Sequence, residues 1–175
     1  SKKEITEDTT INEGTFESTS QDENTISVNG GVTVTLSNIS VTKTGDSDGG
    51  DNTSFYGTNS AIITKSGANL KLKNISVKTN AAGANGVFSY GESATTNNSS
   101  SDGTTITISD SSITTLKDNS GGIMTTWGGN MNAYNLTINI SGTSLAAIRT
   151  DRGGGTVTVE GGTHTTFLYI TLYLS

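Results

Sequence analysis

Apolar residues in this chain fall in short alternating bursts. VTVTL (32–36), LKLK (70–73), TITIS (105–109), LTINI (136–140) and TVTV (156–159) switch at every step between apolar and polar residues, and Gly, Asn or Asp bounds them. A period of two buries one side of a segment and wets the other, so each burst predicts a short strand. Helical spacing of apolar residues is not sustained anywhere along the chain.

The bursts repeat. LSNISVTK (36–43) returns as LKNISVKT (72–79), and the register extends in both directions. Val34, Leu36, Ile39 and Val41 align with Leu70, Leu72, Ile75 and Val77, then with Ile106, Ile108, Ser111 and Ile113. They continue into Met131, Ala133, Leu136 and Ile138, then Val157, Val159, Gly162 and His164, and run backwards to Thr9, Ile11, Gly14 and Phe16. A second column, Ile26, Ile62, Val87, Ile123 and Ile148, advances by steps of 36, 25, 36 and 25. Two insertions of about 11 residues, near 45–57 and 91–103, account for the long steps and leave an underlying period close to 25. Repeats of this length, with several short strands in each, predict an all-β parallel β-helix (β-solenoid), a single domain over 1–175 with six to seven coils. At a strand spacing of roughly 4.8 Å the rod is about 30 Å long.

Between the two apolar pairs of each coil runs the column Glu13, Asn38, Asn74, Asp110, Asn135, Gly161. Asn tolerates left-handed backbone angles, and its amide can bond the amide one coil away. This column resembles the asparagine ladder of right-handed parallel β-helices, the pectate-lyase-like architecture, and the resemblance implies a right-handed coil. GTNSAIITKSG (57–67), NAYNLTINIS (132–141) and AAIRTDRGGGTVTVEGG (146–162) are also similar to secreted bacterial β-helical proteins described as adhesin-like or carbohydrate-binding. The architecture hosts many functions, so the resemblance fixes no residue's role.

Composition narrows the partners. The net charge is −6, with only 10 Lys and Arg, which argues against nucleic acid. No apolar stretch reaches the roughly 18 residues of a membrane-spanning helix, so membrane insertion is not expected. The chain has no Cys and one His, which removes thiol chemistry and zinc. No signal peptide precedes SKKE; an extracellular or cell-surface protein would carry that segment outside this sequence.

Candidate chemistry is sparse. The carboxylates do not stack on neighbouring strand faces, as a polysaccharide lyase or hydrolase requires, so catalysis is not expected. Asp46, Asp48 and Asp51 share a glycine-rich loop and are candidate calcium ligands, against the plainer reading of a solvated acidic loop. IRTDRGGG places Asp151 between Arg149 and Arg152, as a salt-bridged turn or a ligand contact. Ser27, Ile63, Phe88, Met124 and Arg149 face outward beside the Ile26 column, near Phe55, Tyr56, Tyr90 and Trp127. An outward apolar strip needs a partner, a ligand or a covering loop. Tyr90 and Trp127 lead the candidate glycan contacts, followed by Phe55, Tyr56, Phe88, Arg149 and Asp151. A hydroxyl column, including Ser40, Ser76, Ser112 and Thr137, reads as a solvated strand face, with ice binding as its rival. Sequons at Asn38, Asn52, Asn74, Asn97, Asn98, Asn135 and Asn139 follow from the Asn, Ser and Thr content.

The end of the chain breaks the pattern. Phe167 to Leu174 contains one polar residue, so 167–174 is either a final strand across the last coil, a strand that pairs with another chain, or an altered terminus. The expected function is a non-catalytic extracellular β-helix module, adhesin-like or glycan-binding, that meets a glycan or a host or cell-surface protein. A self-associating structural protein, forming homo-oligomers or filaments through its ends, is the first alternative. A carbohydrate-active lyase or hydrolase is the second.

Overall fold

The computed structural model describes residues 1–48, 50–92, 101–143 and 146–167. Most of the second insertion (93–100) and nearly all of the apolar segment 167–174 therefore lie outside the described residues. The strands are β1 (Lys3–Ile5), β2 (Thr9–Ile11), β3 (Gly14–Ser18), β4 (Ile26–Asn29), β5 (Thr33–Lys43), β6 (Ile62–Lys65) and β7 (Asn69–Thr79). They continue as β8 (Val87–Tyr90), β9 (Thr105–Thr115), β10 (Ile123–Thr126), β11 (Gly129–Ile140), β12 (Ile148–Thr150), β13 (Gly155–Glu160) and β14 (Thr163–Thr166). One helix, α1 (Asp51–Tyr56), lies in the first insertion.

The strands alternate along the chain between two all-parallel sheets, with β2–β3 and β13–β14 each following one another in the same sheet. Six short strands form one sheet in the order β1-β4-β6-β8-β10-β12. The other has the order β13-β11-β9-β7-β5-β2, with β3 beside β5 and β14 beside β11. Each coil thus contributes one short strand and one long, bent strand, which makes a parallel β-helix of about six coils.

The repeat register is the strand register. Ile26 pairs Ile62, Ile62 pairs Val87, Val87 pairs Ile123 and Ile123 pairs Ile148. Val34 pairs Leu70, Leu70 pairs Ile106, and Met131 lies between Ile106 and Val157. From Val34 to Ile138 these inward columns are almost wholly buried in one continuous core. The N-terminal segment belongs to the fold: Lys3–Ile5 pairs β4, and Ile5 enters the core.

Each long strand turns at one residue. Asn38, Asn74, Asp110 and Asn135 have φ of 56°, 53°, 50° and 55°, and Gly161 takes the same place with φ 67°. Left-handed angles suit Asn, Asp and Gly because a short polar side chain, or none, relieves the clash. The amides stack as a ladder in part. Asn74 Nδ2 donates to Asn38 Oδ1 (2.7 Å), and Asn135 Nδ2 donates to Asp110 Oδ1 (2.9 Å).

Candidate functional site

The outward column of the short-strand sheet is in register as Ser27, Ile63, Phe88, Met124 and Arg149. Its apolar members form a second small cluster, with Tyr90 packed against it, and Phe88 is 0% exposed. The first insertion covers this cluster. Gly57, at the C-terminus of α1, has φ 71°, and a Cβ there would lie 2.8 Å from Ile63 Cδ1 and Phe88 Cδ1. Backbone carbonyls of the strap are tied down one by one. Asn85 Nδ2 donates to Thr53 O (3.0 Å), Asn24 Nδ2 to Gly57 O (2.8 Å) and Thr126 Oγ1 to Phe55 O (2.7 Å). The apolar strip is therefore an internal interface, and Phe88, expected as a ligand contact, has no surface to offer.

The strap brings most of the expected aromatic and charged residues together. Tyr56 stacks on Trp127 at 5.9 Å between ring centroids, with 25° between the planes, and meets Tyr90 edge-on at 5.9 Å. The Trp127 indole N–H donates to Phe55 O (3.1 Å). The Arg152 guanidinium sits 3.9 Å from the Phe55 ring centroid and 3.7 Å from Asp51 Oδ2. Arg149 pairs with Asp151, whose other oxygen accepts the Arg152 backbone N–H (2.7 Å). Trp127 and Tyr90 are half-buried, whereas Tyr56 is 40% exposed and forms the outer ring. Burial first, and then Glu92, push the Tyr90 hydroxyl above its ordinary pKa, so it stays a neutral O–H.

The three loop aspartates are not brought together as a metal centre. Asp46 Oδ1 accepts the Ala82 N–H (2.9 Å) and faces Lys117 Nζ (3.6 Å). Asp48 Oδ1 accepts the Gly50 N–H (3.0 Å), and Asp51 faces Arg152. Each carboxylate has its own local partner, and no group of three or more His, Asp or Glu side chains among the described residues is placed to hold a metal ion. No helix among the described residues is long and apolar enough to cross a membrane.

Lys43 is a buried charge that the sequence reading passed over. It continues the inward alternation Ile39, Val41, Lys43 and is 0% exposed. Its ammonium donates to the carbonyls of Ser20 (2.6 Å), Thr44 and Gly45 (3.2 Å), which fastens the base of the strap to the preceding coil. Desolvation lowers its pKa below the ordinary lysine value and outweighs the opposing pull of Glu23, Asp22 and Asp46. Carrying the period of two through to residue 43 finds it from sequence.

A second feature was not expected. An open groove of about 710 Å3 runs along the outside of the long-strand bend, from Glu13 to Asn135 and Thr137. The bend column forms one side, and Ser40, Ser76 and Ser112, exposed on the adjoining strand face, form the other. Glu13 and Asp110 are its carboxylates, and among the described residues no Lys, Arg or aromatic ring lines it. Its signal lay in two columns read separately, the bend amides and the hydroxyls two residues on. That they meet across a concave line follows from the left-handed turn between them.

Compared with protein-family models, with curated proteins and with solved structures, the chain matches none.

Proposed function

We propose that the chain is a right-handed, pectate-lyase-like β-helix acting as a non-catalytic extracellular or cell-surface module, adhesin-like, that binds glycans at the Tyr56–Trp127–Tyr90 cluster. The observation that carries this reading is the stacked Tyr56–Trp127 pair, with Tyr56 outermost and Arg152 and Asp51 on the adjoining rim. An aromatic face takes the C–H side of a sugar ring, while charged rim groups accept or donate to its hydroxyls. The strap holds the rings in place before any ligand arrives, which lowers the ordering cost of binding. A non-catalytic role fits the way Asp46, Asp48 and Asp151 are engaged, each in a local hydrogen bond to backbone or a local ion pair.

The test is a glycan array followed by fluorescence titration, using Trp127, the one tryptophan, as reporter. Tyr56→Ala is expected to weaken binding about tenfold, the worth of one stacked ring. Tyr134→Ala, which truncates an exposed tyrosine on the long-strand sheet, is expected to leave it unchanged. Equal affinity in both variants would overturn the reading, and product release from any bound glycan would replace it with an enzyme.

A second reading, self-association through the ends, is favoured by one observation. Val157 and Val159 in the last described coil are only half-buried, whereas Met131 and Ala133 beneath them are fully buried. Sedimentation of the intact chain against one ending at Thr166 tests it. Identical monomeric behaviour would remove it.

A further inference from the structure

Between its two bonded steps the amide ladder at the bend is broken, and that break lies inside the groove. Asn74 hands its N–H back to Asn38, and Asn135 hands its N–H back to Asp110. Asp110 has no amide N–H to hand back to Asn74. Asn74 Oδ1 and Asp110 Oδ2 are therefore acceptors on neighbouring coils, and neither receives a hydrogen bond from any described residue. The backbone parts at the same step. Between β7 and β9 the paired positions pass from Lys73 with Ser109 directly to Ser76 with Ser112. The Ile75 N–H donates to Ser111 Oγ instead (2.9 Å), and that hydroxyl donates to Ser109 O (2.7 Å).

We propose that this groove is a second ligand site, specific for an extended amino-sugar glycan, with one ammonium seated between Asn74 and Asp110. The proposal rests on the glycan-binding reading above but uses a different face of the rod. Coils advance by about 4.8 Å, so one donor nitrogen at about 2.8 Å from each oxygen spans the step. A primary ammonium brings the donors that the ladder lacks and a charge that complements Asp110 and Glu13. The hydroxyl column alongside repeats at the same interval and gives each sugar unit a donor and an acceptor. The same carboxylates, with no Lys or Arg in the lining, set the groove against uronate chains. Lys73 precedes Asn74 but makes no ion pair with Asp110.

Calorimetric titration of the full chain with a glucosamine hexamer, below neutral pH where its amines are charged, tests this. The hexamer is expected to bind about tenfold more tightly than a glucose hexamer, and a galacturonate hexamer not at all. Asp110→Asn restores an amide at a left-handed position, so it is expected to keep the fold, complete the ladder and abolish the preference for amines. No heat with the glucosamine hexamer overturns the proposal. So does unchanged affinity in Asp110→Asn, or equally tight binding of hexalysine, which would reduce the effect to charge attraction. Trp127 fluorescence separates the two sites. Amine-specific heat lost in Asp110→Asn supports the groove whether or not Trp127 responds, and a silent Trp127 counts against the aromatic site alone; a Trp127 response with no amine-specific heat in the parent chain overturns the groove and leaves the aromatic site standing.

Discussion

Ile63, Phe88 and Met124 point outward from the short-strand sheet, and Asn38, Asn74 and Asn135 point outward from the bend of the long strands. The first set is almost fully buried and the second is exposed. Both are columns of one residue per coil, with the same axial spacing. What differs is the loop beside them. The strap, with α1 at its centre, carries Phe55, Tyr56 and Gly57 across the first column, whereas nothing among the described residues covers the second. An outward apolar column and an insertion of matching reach are thus two halves of one feature. A polar column needs no cover and remains available as a groove.

The largest effect should come from emptying the covered side. Phe88→Ala removes a ring with no exposure from between the sheet and the strap, and is expected to cost about 3–5 kcal/mol in urea unfolding. Ser76→Ala, on the groove wall, is expected to stay within about 0.5 kcal/mol. Similar costs for the two would mean that the strap does not seal the strip. Gly57→Ala sharpens the contrast without creating a cavity. Its Cβ would require a left-handed alanine and push into Ile63 and Phe88, for an expected cost of about 1–3 kcal/mol. Loss of the Trp127 fluorescence signature should accompany it, because Phe55 O is the acceptor of the indole N–H.

These two regions also divide what was legible in the sequence. The inward columns were readable because burial and a fixed coil length force apolar residues to recur in phase, through both insertions. Asn38, Asn74 and Asn135 were readable because few residue types tolerate a left-handed bend. Their Asn-x-Ser/Thr motifs follow from the same geometry: the Asn turns the strand, and the hydroxyl two residues later faces the solvent. The strap was readable only as a cover for the apolar column. Its helix of six residues is too short to leave a period, and it is held mainly through backbone carbonyls, which no side-chain pattern records. The groove was not legible, because concavity belongs to the angle between two strand segments. Nor were the separate partners of Asp46, Asp48 and Asp51, which sit together in sequence and apart in their hydrogen bonds.

The smallest expected effect concerns acid, and it should reach the strapped side first. Ser18 lowers the pKa of Glu23 through a hydrogen bond, the Ala82 N–H and then Lys117 lower that of Asp46, and the Thr143 N–H lowers that of Asp118. A carboxylate held below its unfolded value stabilises the fold above that value, about pH 4, and stops doing so as pH falls through the folded pKa. Stability should therefore be level with respect to these groups from neutral pH to about 5, and decline below about 4. Asp46 lies at the base of the strap, where it accepts the Ala82 N–H and faces Lys117, and its protonation is expected to weaken that anchor. Trp127 fluorescence should then change at a higher pH than the loss of β circular dichroism. Asp46→Asn keeps an acceptor for the Ala82 N–H but no longer titrates, and is expected to bring the two transitions together. If they already coincide in the parent chain, the strap and the coils beneath it unfold as one unit, and the cover is as much a part of the core as the columns it protects.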